Sequence, residues 1–192
     1  MSKRTAEDVA PESKRRSLLT GLKQAMSLEG NQVYADATCV AIADKFPKAR
    51  HHWLVLPRED IPTIKALRSH HVPILEHLEK IGRQLIADNG LDEKDFRLGY
   101  HAVPSMAQLH LHVISQDFDS PSLKTKKHWN SFTTAFFVDS GVVVNDIRTN
   151  GSFTVVEPRI AEVLLKKDLK CHRCEYKPPT IPKLKEHLKT HL

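Results

Sequence analysis

No apolar run in the 192-residue chain approaches the ~18 residues that a membrane span requires, and no membrane anchor is expected. The basic amino-terminal stretch MSKRTAEDVAPESKRRS has no apolar segment behind it, which argues against a secretory signal. Cysteine is scarce. Cys39, Cys171 and Cys174 are the only three, a poor basis for a disulfide framework, and a reducing compartment with a metal site suits them better. Cys39 lies in the apolar run Cys39-Val40-Ala41-Ile42-Ala43 and is expected in the core. Internal repeats and low-complexity tracts are missing too, and the length fits one domain, or one domain with a small module.

What is present is a soluble composition, 40% hydrophobic and 27% charged, with a net charge of +6. The charge is unevenly placed. From Arg159 onward nine lysines and arginines face four acids, whereas residues 1–158 hold twenty against nineteen. A nearly neutral body with a basic tail points to a polyanionic partner for the tail.

Residues 1–16 are polar and lack periodicity, which predicts disorder. Lys14-Arg15-Arg16 reads equally as a nuclear import signal or as part of a solvated tail. From Ser17, Leu18, Leu19, Leu22, Ala25 and Met26 share one helical face, and Gly30-Asn31 ends that helix. Strands are predicted near Val33–Tyr34, over Thr38–Ala43 and over His52–Leu56, the last stopped by Pro57. Residues 62–89 read as a helix with a stripe of Leu75, Leu78, Ile81, Leu85 and Ile86, and with His70, His71 and His77 toward solvent. Phe96–Val103 and Leu109–Ser115 follow as strands around a Pro104-Ser105-Met106 turn, and residues 128–150 and 158–166 as helices. The expected fold is α+β, with a mostly antiparallel sheet flanked by helices. The expected division is a tail over 1–16, a catalytic domain over 17–150, and a linker helix with a finger module over 151–192.

Side chains alternate along a strand, so Gln108, His110 and His112 are expected on one face, with Leu109, Leu111 and Val113 in the core. Three readings are open for the paired imidazoles: incidental surface residues, a metal site, and a phosphate-handling site. In the last, a neutral histidine attacks phosphorus and a protonated neighbour stabilises charge on the non-bridging oxygens. Tyr100-His101 on the preceding strand, Ser105 in the turn, and the cations Arg50 and Lys127 favour it.

The tail carries Cys171-x2-Cys174-x12-His187-x3-His191, the ligand spacing of a ββα-like finger with one structural zinc. Lys183–His191 is expected to be helical with Leu184 and Leu188 inside, and His172 exposed. The lysines at 177, 183, 185 and 189 suit phosphate-backbone contact without sequence preference.

Leu109-His110-Leu111-His112-Val113-Ile114 resembles the histidine-triad signature. The segments Lys48-Ala49-Arg50, His52–Pro57, Tyr100–Met106, Ser115–Ser120 and Lys126–Ser131, with the finger after them, resemble the aprataxin family within that superfamily, from about Leu18 to the carboxyl terminus. The resemblance implies a histidine-triad fold and a nuclear hydrolase that removes AMP from the 5′ ends left by abortive DNA ligation. It implies His110 as nucleophile, His112 on the phosphate and His101 assisting the leaving 5′-phosphate. It further implies Leu22 and Ile42 on the adenine, Asp44 on the ribose, and Ser105, Lys127 and His52 around the phosphates. Lys48, Arg50, Lys183 and Lys185 would contact DNA. Two departures stand out. Gln108 replaces the first histidine of the triad, and the aromatic residue expected to stack on the DNA end corresponds to Leu18 or Leu19. A forkhead-associated domain is not among the 192 residues, so phosphopeptide docking is not carried over. A hydrolase of small adenylated molecules and a non-enzymatic zinc-finger DNA binder remain as alternatives.

Overall fold

The computed structural model describes residues 21–191. Leu18, Leu19, the 1–16 tail and Lys14–Arg16 lie outside the described residues. A helical segment over residues 21–27 (α1) leads into a six-stranded sheet. Its strands are β1 (Gln32–Ala35), β2 (Cys39–Ala43), β3 (His52–Pro57), β4 (Phe96–His101), β5 (Leu111–Ser115) and β6 (Phe137–Asp139), in the order β1-β2-β3-β5-β4-β6. Every pairing is antiparallel.

The sheet is buried on both faces, which is why β3 reads as an unbroken apolar run. Alternation along each strand decides what each face meets. Cys39, Ala41, Trp53, Val55, Leu98, Leu111 and Val113 pack toward α2 (Val72–Asp88) and its Leu75, Leu78 and Ile81. On the other face, Val40, Ile42, Leu54 and Leu56 pack with Leu22 of α1. Farther along that face, Ile114 joins Phe118, Trp129 and Phe132 in a cluster that also contains Leu169, Cys171, Leu184 and Leu188. The sheet and the finger therefore share one core across the 150/151 boundary.

Several elements differ from the sequence expectation. The helix of 62–89 begins only at Val72, after two 3₁₀ turns at Ile64–Ala66 and Ser69–His71. Pro73 explains this, because proline fits the first turn of a helix but clashes in its interior. His71 is buried, accepting from the Arg68 N–H at Nδ1 and facing Glu59 at 3.3 Å, and His77 bonds Asp36 at 2.7 Å, so neither is simply a solvated face residue. The segment expected to be helical over 128–150 divides into α3 (Lys126–Thr133), the edge strand β6 and α4 (Ser140–Asn150). Gly99 admits that strand. A Cβ there would collide with the Val138 carbonyl oxygen and the Phe137 ring.

Beyond α5 (Pro158–Lys166), the cysteine arm of the finger is a bent loop closed by the Cys171 N–H donating to the Tyr176 carbonyl at 2.9 Å. It is not the two-stranded hairpin of a ββα finger. Pro178 and Pro179 provide no ladder donors, and the loop is anchored on α3 instead, where the Trp129 indole donates to the Lys170 carbonyl at 2.9 Å. The helix α6 (Ile181–Leu188) follows, continued by a 3₁₀ turn to His191.

Candidate active site and zinc-binding finger

Three adjacent strands bring the histidines together. The register sets Leu54 and Gly99 on either side of His112, and Ile114 beside His52. The His112 ring centroid then lies 5.2 Å from that of His52, 4.4 Å from His101 and 4.9 Å from His110. Phe132 of α3 meets the His52 and His112 rings edge-on and backs the group.

The hydrogen bonds assign a tautomer to each ring. The Lys48 backbone N–H donates to His52 Nδ1 at 3.2 Å, so the His52 proton sits on Nε2. That nitrogen lies 2.9 Å from His112 Nδ1, which must accept, and the His112 proton moves to its own Nε2. His112 Nε2 is buried and has no partner among the described residues. It is an unpaired N–H donor on a ring that lines the cleft. In His110 the order is reversed. Nδ1 donates to the Gln108 carbonyl at 2.8 Å, which leaves Nε2 as a bare lone pair. The start of β5 and the residue just before it thus present a hydrogen-bond donor and an electron pair two residues apart.

Burial lowers the pKa of all four imidazoles. It pushes His52 down to about 4 against the opposing pull of Asp44, takes His101 and His112 well below the ordinary range, and lowers His110 despite its bond to Gln108. At neutral pH the rings are uncharged. The sequence led to an expectation of a protonated neighbour, and the structure replaces it with a neutral N–H donor. Asp44 Oδ2 lies 3.5 Å from His52 Nδ1, a contact useful only to a doubly protonated ring. Asp44, His52 and His112 do bring ligand atoms within 4.8 Å of one another, but the bonds just described occupy the lone pairs on the facing ring nitrogens.

The rings floor a cleft of about 600 Å³. Asp44, Lys48, His52, His101, Ser105, His110, His112 and Lys127 all line it. Its far wall comes from α5, through Pro158, Ala161, Glu162 and Leu165. Sequence reasoning assigned that helix to the finger module and missed it here; its amphipathic spacing was the available signal. Phe46 and Val103 are exposed apolar residues at the rim. Leu22 and Ile42 are not among the lining residues. They are buried together in the apolar cluster that reaches the cleft through Met106.

Other expected residues are held elsewhere. Arg50 pairs with Asp119 at 3.1 Å, and its backbone N–H donates to Asp117. Lys183 pairs with Glu186 at 2.9 Å on the surface. Lys185 donates to the Ser120 carbonyl at 2.6 Å, fastening α6 to the loop after β5. Gln108 does not share the face of His110 and His112. Its backbone turns into the left-handed region (φ 80°), which delays β5 until Leu111, and its side chain bonds the Pro57 and Glu59 carbonyls.

The finger ligands converge. Cys171 Sγ is 3.5 Å from His191 Nε2, Cys174 Sγ is 3.2 Å from His187 Nε2, and the two Nε2 atoms are 3.1 Å apart. All four donor atoms lie within 4.8 Å of one another. Bonds of about 2.0–2.3 Å to a central zinc require donor separations of this size, so the residues fit the ion. His172, expected to be exposed, is wedged against Phe118 and Trp129, donates Nε2–H to the Gln116 carbonyl at 3.0 Å, and is pushed down to about 4 mainly by burial.

Comparison with known proteins places these features. Residues 22–128 match the family "Scavenger mRNA decapping enzyme C-term binding", and residues 133–192 match "C2HE / C2H2 / C2HC zinc-binding finger". The chain is 54% identical over 172 residues to aprataxin of Gallus gallus, covering 89% of this chain and 54% of that protein. It is 32% identical to an aprataxin-like protein of Saccharomyces cerevisiae, covering 74% and 78% respectively. Among solved structures, the aprataxin ortholog Hnt3 in complex with DNA superposes with a TM-score of 0.72 at 29% identity, covering 93% of this chain and 94% of that one. The chain spans about half the length of curated relatives such as the Gallus gallus protein.

Proposed function

The chain belongs to the aprataxin family of histidine-triad proteins, and from that premise we propose that it hydrolyses DNA 5′-adenylates, releasing AMP and restoring a ligatable 5′-phosphate. The observation that carries the reading is the opposite tautomers of His110 and His112. His110 Nε2 attacks the adenylate phosphorus. The N–P bond forms as the anhydride P–O bond breaks, and the DNA leaves as its 5′-phosphate. Water then attacks the same phosphorus, the N–P bond breaks, and AMP departs. Imidazole suits both steps, since it is a good nucleophile and a good leaving group. His112 Nε2–H donates to a non-bridging oxygen as negative charge gathers there. In this reading His101, in ring contact with His112, hydrogen-bonds the departing 5′-phosphate as a neutral N–H donor. Ser105, Lys48 and Lys127 face the phosphates, Asp44 the ribose, and Leu22 and Ile42 support the adenine side.

One zinc ion in the finger has a structural role, neutralising two thiolates and tying the cysteine loop to α6. Lys183, with Arg50 and Lys185 nearer the catalytic side, provides sequence-independent attraction to the backbone of nicked or broken duplex DNA. The structural neighbour Hnt3 was solved with DNA, which supports that partner. A DNA substrate and the family both favour work in the nucleus.

The test is a nicked duplex bearing a 5′-AMP, incubated with the protein or with His110→Ala. AMP release by the unsubstituted protein alone supports the proposal. Equal turnover of free adenylated nucleotides would favour the small-molecule hydrolase. DNA binding with no AMP release by either protein would leave a binding module.

A further inference from the structure

Gln108 stands where the histidine-triad pattern places its first histidine, and its side chain takes no part in the cleft. It is 3% exposed. Its Nε2 donates to the Pro57 carbonyl at 2.7 Å and to the Glu59 carbonyl at 2.9 Å. The next peptide is fastened to the same segment, since the Leu109 N–H donates to the Ile61 carbonyl at 2.6 Å. That N–H and the Gln108 carbonyl belong to one planar trans peptide and point in opposite directions. Fixing one therefore aims the other. The Gln108 carbonyl is the group that accepts the His110 Nδ1 proton at 2.8 Å.

We infer that Gln108 is a positioning residue whose side-chain amide, clamped on Pro57 and Glu59, holds the 108–109 peptide so that His110 is kept as the Nδ1–H tautomer with a free Nε2. The clamp is needed because a backbone at φ 80° is strained for any residue with a Cβ, and glutamine has none of the tolerance of glycine or asparagine. Glutamine suits the task because one amide nitrogen carries two N–H groups, and both carbonyls are satisfied from one atom. An imidazole there offers one N–H per nitrogen, and the two nitrogens point apart. The departure from the triad pattern is thus a different way of holding the same backbone carbonyl. The inference rests on the reading of His110 as nucleophile. Once the peptide can rotate, the ring also populates the Nε2–H form, which has no lone pair toward the phosphorus.

Two variants test it. Gln108→Met keeps the volume and removes both donors. Gln108→Gly removes the clamp and relieves the φ strain as well. Ring nitrogen NMR shifts of ¹⁵N-labelled protein, taken without substrate, report the His110 tautomer. Single-turnover transfer of AMP to His110 and binding of the adenylated duplex are measured alongside. The expected result is a single Nδ1–H tautomer in the unsubstituted protein and a mixture in both variants. Transfer should slow about a hundredfold, as misplaced reacting groups do, with binding changed less than about twofold. A folded Gln108→Met or Gln108→Gly with the original tautomer and transfer rate overturns the inference. So does a glycine variant that restores what methionine loses, because the strain and not the clamp would then matter. If Gln108→Met fails to fold, the glycine variant decides alone. If the unsubstituted protein releases no AMP from any DNA adenylate, the proposed function falls, while the tautomer measurement still judges Gln108.

Discussion

His52 Nε2 lies 2.9 Å from His112 Nδ1, and that single hydrogen bond decides which nitrogen of His112 carries the proton. Both rings are buried and neutral, so the bond works by direction of donation and not by charge. Replacing His52 with alanine frees the His112 ring. AMP transfer is expected to fall about a hundredfold, with duplex binding little changed. A His52→Ala protein with an unaltered single-turnover rate would refute the relay.

The lowered imidazoles give stability a defined pH dependence. His52 titrates near 4 in the folded protein and about 6.5 when unfolded. Between those values the unfolded chain binds more protons, so this contribution is complete above about 6.5 and is lost as pH falls toward 4. For His52 it amounts to roughly 3 kcal/mol, at about 1.4 kcal/mol per unit. Melting midpoints measured from pH 8 to 4.5 should decline below about 6.5, and His52→Gln should show a shallower decline. A parallel curve would remove His52 as a cause.

Metal removal is expected to reach beyond the finger. Leu184, Leu188 and Cys171 belong to the same buried cluster as Trp129 and Phe132. Chelation or Cys174→Ala should lower the midpoint of a single unfolding transition by roughly 10 °C. Two separate transitions, with the catalytic one unmoved, would show that the shared core is energetically idle.

Gly99 marks a place where a single methyl group should matter. In Gly99→Ala the new Cβ meets the Val138 carbonyl oxygen and the Phe137 ring, and β6 must move away from β4. A loss of about 1–3 kcal/mol by denaturant titration is expected. A neutral result would mean that the edge strand shifts freely.

The finger lysines should separate by their partners. Lys183 pairs with Glu186 on the surface, and Lys183→Ala should weaken duplex binding for every sequence and reduce the salt slope by about one. Lys185 is bound to Ser120 and its substitution should also lower stability. Salt titrations of both variants, with melts, check this.

Spacing made the finger ligands and the histidine strand legible, because four metal ligands and two alternating imidazoles are local patterns. Strand positions around His52 and Cys39 were legible from apolar runs. The backbone contribution of Lys48 was not, since its N–H on His52 does not depend on the side chain. Gln108 was misread for a similar reason. Alternation put it beside His110, but a positive φ ends the strand before it, and no side-chain pattern announces that. The strand β6 escaped because its existence depends on Gly99, some forty residues earlier. The α5 wall of the cleft was assigned to the wrong neighbour, since periodicity shows that a helix has an apolar face but not what covers it.

The placement of Phe132 constrains engineering. The ring that backs His52 and His112 also sits in the cluster closed by Leu184 and Leu188 of the finger. A chimera that takes the finger from one protein and the histidines from another must also transplant the α3 face between them, because a mismatched Phe132 would disturb both halves at once.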